Sequence, residues 1–498
     1  MRLFLPVLFC TALSADLWAD VRVPALFGDH MVVQRDMPIH VWGWADPGET
    51  VSVDFRGETA VTIASPDGRW DIYLEPTEAG GPYDLAIDGE NSIRLTDILV
   101  GDVWVGSGQS NMEWPLERAN DAEREIAAAQ YPEIRYFRVV RKAADTRQDD
   151  VEGEWRVVTP ATAGEFSGLA YFFARHLHTE LGVPFGIIQS AWGGTPAQSW
   201  TSSRAFAADP ALAEFAAKFK AEGEAAKPGY DAAFADWERR AAEAEAAGDD
   251  APRRPPRPRQ LNPANTPSWL FNAMIAPLTL YPIRGVIWYQ GENDANNRQA
   301  FLYRRLFRSL IEDWRHEWGQ GAFPFLFVQL PNFARVVENS EWPELRESQA
   351  MALGLAGTGM AVTIDIGDSN DIHPGNKQDA GLRLALAARA IAYGEQGLAY
   401  SGPMYRQTTR QGSALRLWFD HAGSGLQARS APLAGFELAG PDGKFVRADA
   451  RIDGSSVILT SPAVQSPVRA RYAWADDPQG NLFNGAGLPA SPFRTTMH

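Results

Sequence analysis

The first part of the chain, from Val21 to about Ile98, alternates hydrophobic and polar residues in short segments. Clear examples are VSVDF at 51–55 and YDLAI at 83–87. Turn signals with Pro and Gly at 47–48 and 66–68 separate such segments. A period of two between turns is typical of strands that are buried on one face. The pattern predicts a small β-sandwich-like module over residues 20–98.

The middle of the chain has a different pattern, in which apolar runs without alternation are separated by helical patterns. The runs are VWV at 103–105, FGII at 185–188, VIWY at 286–289, FLFV at 325–328 and MAVTI at 360–364. Nearly continuous apolar strands between helices indicate a parallel sheet that is covered on both faces. We therefore predict an α/β/α domain over residues 99–395, with ligands bound at the carboxyl ends of its strands.

Two further regions flank or interrupt this domain. Residues 211–247 are rich in Ala and Glu, and the run RRPPRPR follows at 253–259. We expect a surface helix and a stiff, solvated connector, as an insertion at about 205–260; a binding role for the basic run is the alternative. After Tyr393, short strand patterns return and predict a second β-rich module over 396–498.

The chain begins with a segment typical of a secretory signal peptide. Arg2 precedes an apolar run from Leu3 to Leu13, and the small residue Ala19 ends the segment before Asp20. The run is too short to span a bilayer as a helix. We expect residues 1–19 to be removed and the mature protein to be periplasmic or secreted. A buried N-terminal strand is the alternative.

Cysteine content, length and charge exclude several chemistries and partners. Cys10 is the only cysteine and lies inside the predicted signal peptide, so the mature chain has no thiol for catalysis or metal binding. The 498 residues are long enough for a large core, and the formal net charge of −16 repels nucleic acid and anionic membranes. No later run has the roughly 18–20 apolar residues of a membrane helix, so we expect no membrane insertion.

The motif GSGQSNMEW at 106–114 directly follows the apolar run at 103–105. Its glycines allow a sharp turn from strand to helix, and such a turn exposes the hydroxyl of Ser110 beside helix N–H groups. Capping of a helix is the structural alternative for this serine.

Two other loops contain hydrogen-bond donors for a developing negative charge. The run at 185–188 is followed by SAWGGTP at 190–196, where bare glycine backbone can point an N–H at an oxyanion. The run at 286–289 is followed by QGEND at 290–294, where Asn293 can donate its side-chain amide. The structural alternatives are an ordinary turn at the two glycines and an Asx-turn role for Asn293, the more common role of an asparagine in such a loop.

The fourth motif, DIGDSNDIHP at 365–374, contains a histidine among carboxylates. A serine hydroxyl is a poor nucleophile until a base removes its proton, and His373 is placed to be that base. Four other histidines fit structural patterns: His176 and His178 in a helix, and His30 and His40 in the N-terminal β-block.

In order and content, the four blocks resemble those of the SGNH/GDSL hydrolases, and among them the sialate O-acetylesterase-like carbohydrate esterases. The similar segments are GQSNM at 108–112, WGGTP at 192–196, WYQGEN at 288–293 and DIHP at 371–374, with PALF at 24–27, MVVQR at 31–35 and VWGW at 41–44. The resemblance covers nearly the whole mature chain.

The resemblance implies an SGNH-type fold and a serine esterase that removes acetyl groups from sugars. Acetylated sialic acids are the first substrates that it implies, and it implies neither a cofactor nor a metal. Ser110 is implied as the nucleophile and His373 as general base and then acid. The backbone N–H groups of Ser110 and Gly193 and the amide of Asn293 are implied as the oxyanion hole, with Gly194 as the alternative to Gly193. We also expect substrate contacts from four residues of these blocks: Gln109, Trp192, Gln290 and Glu292.

One position departs from the family pattern. The family's acid stands three residues before the histidine, where this chain has Asn370. Asp371 is two residues before His373 and therefore points to the same side of an extended loop, so it is our first choice for the acid. The alternatives are Asp368, Asp365 and a Ser–His dyad oriented by a backbone carbonyl.

Three other functions compete with this interpretation. The same blocks would serve an esterase of acetylated xylan or pectin. A carbohydrate-binding protein on an inactive esterase scaffold would fit the two β-rich modules, but it would not hydrolyse p-nitrophenyl acetate. A metal hydrolase that uses His373 and the nearby aspartates is less favoured, because no second histidine lies at ligand spacing.

Overall fold

The computed structural model describes residues 20–334 and 337–495. The predicted signal peptide, including Cys10, lies outside the described residues, as does the last part of the C-terminal module from residue 496. Within the described ranges, we find no helix with both the length and the apolar character needed to cross a membrane.

Short strands form the N-terminal part. They are β1 (Val32–Gln34), β2 (Ile39–Trp44), β3 (Thr50–Phe55), β4 (Glu58–Ile63), β5 (Arg69–Leu74) and β6 (Gly80–Asp88). β2 pairs with β5, and β3 pairs with both β4 and β6, all antiparallel. Every second residue of β3 and of β5 is buried, which is the period of two seen in the sequence.

The next strand, β7 (Ser92–Gly108), runs from the N-terminal part into the central sheet. Its first part pairs antiparallel with β6, and its last part pairs in parallel with strands of the central sheet. One continuous strand therefore passes through the predicted module boundary at residue 99, and the domain bounds stay predictions.

The central sheet is mostly parallel. Its other strands are β8 (Tyr131–Arg138), β9 (Trp155–Val158), β10 (Phe185–Ala191), β11 (Gly285–Tyr289), β12 (Phe325–Val328) and β13 (Thr358–Ala361). The order is β13-β12-β11-β7-β10-β8-β9, and only the pairing of β8 with β9 along this path is antiparallel. All residues of β10, β11 and β12 are buried, as expected when both faces are covered. The carboxyl ends of β10, β7 and β11 are neighbours.

Helices connect and cover these strands. They are α1 (Ser110–Glu113), α2 (Ala122–Ala127), α3 (Gly168–Leu181), α4 (Ser203–Ala208), α5 (Pro210–Ala247), α6 (Glu292–Asn296), α7 (Ala300–Trp318), α8 (Trp342–Met351) and α9 (Lys377–Ile391). α3 packs on α9, and α7 packs on α8. α1 and α6 begin directly after β7 and β11, at the carboxyl edge of the sheet.

The insertion consists of the long helix α5 and a connector that returns along it. The guanidinium of Arg254 lies 4.6 Å from the ring centroid of Phe234, and that of Arg257 lies 5.8 Å from that of Tyr230. Cation–π contacts of this kind attach the basic run to the helix. Arg254 and Arg257 are nevertheless exposed, which is compatible with the expected solvated connector.

The last arginine of the run reaches the central domain. Arg259 is half-buried, and its Nη2 donates to Asn293 Oδ1 at 3.2 Å and to Gln299 Oε1 at 2.9 Å. Burial lowers the pKa of Arg259. The insertion thus contacts the loop after β11 through one side chain.

The C-terminal part is again built from strands. They are β14 (Met404–Gln411), β15 (Ala414–Asp420), β16 (Leu426–Ala428), β17 (Phe436–Ala439), β18 (Phe445–Arg447), β19 (Asp449–Asp453), β20 (Ser456–Thr460), β21 (Arg469–Tyr472), β22 (Leu482–Asn484) and β23 (Phe493–Arg494). Buried Arg346 of α8 donates to the carbonyls of Ala475 and Asp476 and so attaches this part to the centre. The predicted fold class, an α/β domain with a mostly parallel sheet and β-rich parts at both ends, is confirmed.

Candidate active site

Ser110 stands at the corner between β7 and α1. Gly108 has a φ of +134°, and a Cβ there would lie 2.1 Å from the carbonyl oxygen of Tyr289 in β11. Only glycine fits this close approach, which turns the chain sharply after β7. Gln109 is the N-cap of α1 and Ser110 is its first residue. The hydroxyl therefore lies at the carboxyl edge of the sheet.

His373 lies beside Ser110, although 263 residues separate the two in sequence. The distance from Ser110 Oγ to His373 Nε2 is 2.8 Å. The imidazole stacks on the indole of Trp114, with ring centroids 4.6 Å apart and planes inclined by 11°. Stacking covers one face of the imidazole and restricts its orientation. The two side chains have the geometry of a nucleophile and its base.

The surroundings of His373 favour the neutral imidazole. Burial lowers the pKa of His373, and the positive charges of Lys377 and Arg118 lower it further, whereas Asp371 raises it. With a pKa below its ordinary value, the imidazole is unprotonated at neutral pH, and its Nε2 can accept the hydroxyl proton of Ser110.

Asp371 is the aspartate of this loop that reaches the imidazole. Its Oδ1 lies 3.5 Å from His373 Nδ1 and also accepts the backbone N–H of His373 at 2.8 Å. The carboxylate is 55% exposed, so water screens its charge. Asp371 therefore lies on the Nδ1 side of His373, where a carboxylate could orient the imidazole, but its distance to Nδ1 is longer than a normal hydrogen bond.

The other two aspartates of the loop have separate partners. Asp368 Oδ1 accepts the backbone N–H of Asn370 at 2.8 Å, which closes a local turn. Asp365 is buried and forms an ion pair with Arg383 at 2.6 Å. Among the described residues, no group of three or more His, Cys, Asp or Glu side chains has an arrangement that could hold a metal ion.

The loop after β10 places Gly193 against the nucleophile. A Cβ at Gly193 would lie 3.3 Å from Ser110 Cβ, so a side chain there would crowd Ser110. Gly194 has a φ of +74° and open space around its Cβ position, so its backbone conformation is what favours glycine. Of the two glycines, Gly193 is the one that packs on Ser110.

The N–H of Gly193 already has an acceptor. It donates to Glu113 Oε2 at 2.6 Å, while Glu113 Oε1 pairs with Arg141 at 2.7 Å. The guanidinium of Arg141 in turn lies 6.0 Å from the ring centroid of Trp192, which is half-buried. The Glu113 carboxylate therefore accepts the hydrogen bond of the Gly193 N–H. Glu113 has to move before this N–H can donate to an oxyanion.

Asn293, in the first turn of α6, connects two loops. Its Nδ2 donates to the carbonyl of Gly194 at 2.6 Å, and its Oδ1 accepts from Asn297 Nδ2 at 3.1 Å as well as from Arg259. The described hydrogen bonds connect Asn293 to neither member of the Ser–His pair. Its role in an oxyanion hole stays a prediction, with one amide hydrogen already donated to Gly194.

Three residues expected to contact substrate are almost fully buried: Gln109, Gln290 and Glu292. Gln109 Oε1 accepts a backbone N–H of α6, and Gln290 Nε2 donates to the carbonyl of Thr195. Glu292 Oε1 accepts from Asn111 Nδ2. These contacts join the loops behind the pair, and the substrate contacts expected of the three residues stay predictions.

A cavity of about 430 Å³ opens beside Ser110 and His373. A second cavity of about 650 Å³ adjoins it and shares four lining residues with it: Glu113, Arg138, Arg141 and Glu165. Both volumes are in the range of small-molecule sites. The cleft carries charges of both signs next to the nucleophile.

Four residues around the pair were missed by the sequence analysis: Asn111, Glu113, Arg141 and Lys377. The first two stand in the same motif as Ser110, so their position beside a nucleophile was a usable signal. Lys377 stands four residues after His373, at the start of α9, and this nearness in sequence was a weaker signal. Nothing in the local sequence distinguishes Arg141 from other surface arginines.

Known proteins similar to this chain are carbohydrate esterases. Residues 265–391 match the family model of the carbohydrate esterase, sialic acid-specific acetylesterase. The sialate O-acetylesterase of Rattus norvegicus is 30% identical over 95% of this chain and 94% of the relative; that of Homo sapiens is 31% identical over 78% and 75%. The crystal structure of a carbohydrate acetylesterase from Xanthomonas citri is 40% identical, with a TM-score of 0.82, and covers 96% of this chain and 100% of that one.

A mostly parallel α/β sheet with a serine–histidine pair at its carboxyl edge, together with these relatives, defines a carboxylic ester hydrolase. The likeness extends over nearly the whole chain. The chain belongs to the sialate O-acetylesterase family of carbohydrate esterases.

Proposed function

We propose that the protein is a serine esterase that hydrolyses O-acetyl esters of carbohydrates through an acyl-enzyme at Ser110. The observation that carries this proposal is the 2.8 Å distance between Ser110 Oγ and His373 Nε2 at the carboxyl edge of the sheet. At this distance the imidazole can take the hydroxyl proton while the oxygen attacks a carbonyl carbon.

The reaction has two halves. Ser110 Oγ bonds to the acetyl carbon, the bond from that carbon to the sugar oxygen breaks, and His373 gives the proton it took to the sugar oxygen. In the second half, His373 takes a proton from water, whose oxygen attacks the acetyl carbon. The bond from that carbon to Ser110 Oγ then breaks, and His373 returns the proton to Oγ, which releases acetate and restores Ser110. The carboxylate of Asp371, 3.5 Å from Nδ1, stabilises the imidazolium in both halves.

The oxyanion of each half requires hydrogen-bond donors. We assign the N–H groups of Ser110 and Gly193 and the amide of Asn293 to this role. The Glu113 carboxylate has to leave the Gly193 N–H first, since two negative charges at one donor repel each other. Arg141, which already pairs with Glu113 Oε1, is a cation that can keep the carboxylate paired when it turns away from Gly193.

Sialate esters are the first substrate that we propose, and acetylated xylan or pectin is the alternative. One observation favours an acidic sugar. Arg138 lines both cavities of the cleft and has no acidic partner among the described residues. A free guanidinium beside the nucleophile suits a sugar carboxylate.

Release of acetate tests the reaction and the substrate together. Wild-type protein and Ser110→Ala are assayed on p-nitrophenyl acetate, acetylated sialic acids and acetylated xylo-oligosaccharides. The proposal predicts turnover by the wild type and none by Ser110→Ala. Equal activity of the two proteins contradicts a serine esterase, and absence of turnover by the wild type favours the carbohydrate-binding alternative.

We also propose that residues 1–19 direct export to the periplasm or the medium. Sequencing the N-terminus of protein recovered from these compartments should give a chain that starts at Asp20. Recovery of the full-length chain from the cytoplasm alone would contradict this proposal.

A further inference from the structure

Behind the Ser–His pair lies a cluster of three buried polar side chains: Asn111, Glu292 and Lys377, with at most 1% of each exposed. They come from α1, α6 and α9, three elements that are far apart in sequence. The catalytic steps proposed above use none of them. Burial of a carboxylate and an ammonium costs free energy unless both are paired and hydrogen-bonded. A buried cluster of this kind therefore indicates a function that offsets the cost.

The cluster connects both sides of the histidine to the residue after the nucleophile. Asn111 Nδ2 donates to the carbonyl of Ile372 at 2.9 Å. Lys377 Nζ donates to Asn111 Oδ1 at 2.7 Å and to the carbonyl of Pro374 at 2.8 Å. Ile372 and Pro374 are the two neighbours of His373. Their carbonyls are therefore held by side chains that are themselves anchored beside Ser110.

Glu292 and two aromatic rings complete the surroundings of the lysine. Glu292 Oε1 accepts from Asn111 Nδ2 at 2.6 Å, and its charge acts on Lys377. Lys377 Nζ lies 5.5 Å from the ring centroid of Tyr289 and 5.8 Å from that of Trp114, the indole on which His373 stacks. Burial lowers the pKa of Lys377 to about 7. The positive charge of Lys377 in turn lowers the pKa of His373.

We propose that Asn111, Glu292 and Lys377 are positioning residues, which hold His373 at hydrogen-bond distance from Ser110 and place a positive charge near its imidazole. The inference rests on the proposed function, because it assigns to the cluster an effect on that reaction. The charges that act on His373 are those of Lys377 and Arg118, both positive, and of Asp371, negative. Of the two positive groups, Lys377 also bonds to the backbone beside the histidine, through the carbonyl of Pro374.

Lys377→Met removes both the positive charge and the hydrogen bonds to Asn111 and to the carbonyl of Pro374. With p-nitrophenyl acetate as substrate, we expect kcat to fall on the order of 100-fold, the cost of a small misplacement of a catalytic group, with KM unchanged. The acid limb of kcat/KM should move to higher pH, by up to about one unit, because loss of a nearby positive charge raises the pKa of His373. Lys218→Met, on α5 with a side chain that is 75% exposed, is the matched control and should behave as the wild type.

A second variant keeps the test valid if the first one folds poorly. Lys377→Met leaves Glu292 buried without its counter-charge, whereas the double variant Lys377→Met with Glu292→Gln removes both charges. We expect the double variant to recover the melting temperature but not kcat. Wild-type kcat in a folded double variant overturns the inference, and so does a single variant whose acid limb does not move.

Failure of this inference is distinguishable from failure of the proposed function. Ser110→Ala is measured in the same series. If Ser110→Ala is inactive while Lys377→Met retains wild-type kinetics, the esterase mechanism stands and the positioning role is wrong. If Ser110→Ala retains activity, the proposed function itself is wrong.

Discussion

The carboxyl edge of the central sheet and the helical insertion are stabilised by different kinds of contact. At the edge, the bond from Lys377 to Asn111 joins residues 266 positions apart, and both are buried. On α5, the ion pair from Lys227 to Asp231 joins residues four apart, and both are exposed. Exposed local pairs stabilise by a few tenths of a kcal/mol, roughly, whereas buried contacts between distant segments fix their relative positions.

From these two kinds of contact we can predict where substitutions should alter chemistry and where they should alter only stability. Side chains at the edge hold reacting groups at defined distances, so their loss should appear in kcat. Arginine–aromatic contacts of the insertion hold a surface connector, so their loss should appear only in the free energy of unfolding. Arg259 joins the two regions through its hydrogen bond to Asn293.

The largest effect is expected at the catalytic pair itself. Ser110→Ala and His373→Ala should each lower kcat about 10⁴-fold or more, and the double variant should be no worse, because the two groups act as one unit. The melting temperature of Ser110→Ala should stay near that of the wild type, since a helix-start hydroxyl contributes at most about 1 kcal/mol. Steady-state kinetics on an acetyl ester measures this. Losses that multiply would show that the two residues act separately.

Asn293→Ala should have the next largest effect, because this residue belongs to the edge yet also contacts the insertion. Loss of one oxyanion donor lowers kcat on the order of 10²–10³-fold and spares KM, since the charge exists only in the transition state. The melting temperature is measured alongside, because the bonds to Gly194 and Arg259 are lost too. A lower melting temperature with unchanged kcat would show that Asn293 only connects loops.

Asp371→Asn should have a smaller effect, about 10-fold in kcat, because its half-exposed carboxylate is screened by water. Asp371 raises the pKa of His373, so its removal should move the acid limb of kcat/KM to lower pH. Asp368→Asn is the matched control, because Asp368 closes a turn on Asn370 and should leave the limb unmoved. A larger loss in the control would transfer the acid role to Asp368.

The smallest effect is expected in the insertion. Arg254→Ala removes the cation–π contact with Phe234 and should lower the free energy of unfolding by about 0.5–1 kcal/mol, with kcat and KM unchanged. Denaturant unfolding and the same esterase assay measure the two quantities. A fall in kcat would show that the insertion takes part in the chemistry, and the contrast between the two regions would be lost.

The sequence predicted the parallel sheet because strands buried on both faces are continuously apolar, as in β10, β11 and β12. It also indicated that the Ser110 and His373 motifs lie close together, since parallel strands share one carboxyl edge. It did not reveal that β7 continues unbroken across the expected boundary. One long strand can pair with the N-terminal strands along its first part and with the central strands along its last part. Strand β13 ends at Ala361, before the apolar run itself ends.

The sequence did not indicate which side chains are hydrogen-bonded to each other at the site. The burial of Gln109, Gln290 and Glu292 depends on contacts between segments that are distant in the chain. The same holds for the Glu113 carboxylate on the Gly193 N–H, a pair 80 residues apart. Motifs give the position of each loop along the chain, but the direction of each side chain is set by packing.

Activation of Ser110 by His373 can be tested directly with a fluorophosphonate. The folded protein is allowed to react with this reagent, and the modified residue is identified by peptide mass spectrometry. This reagent bonds covalently to an activated serine oxygen. We expect modification of Ser110 in the wild type and loss of that modification in His373→Ala. Modification of a different residue, or unchanged labelling of Ser110 in His373→Ala, would contradict it.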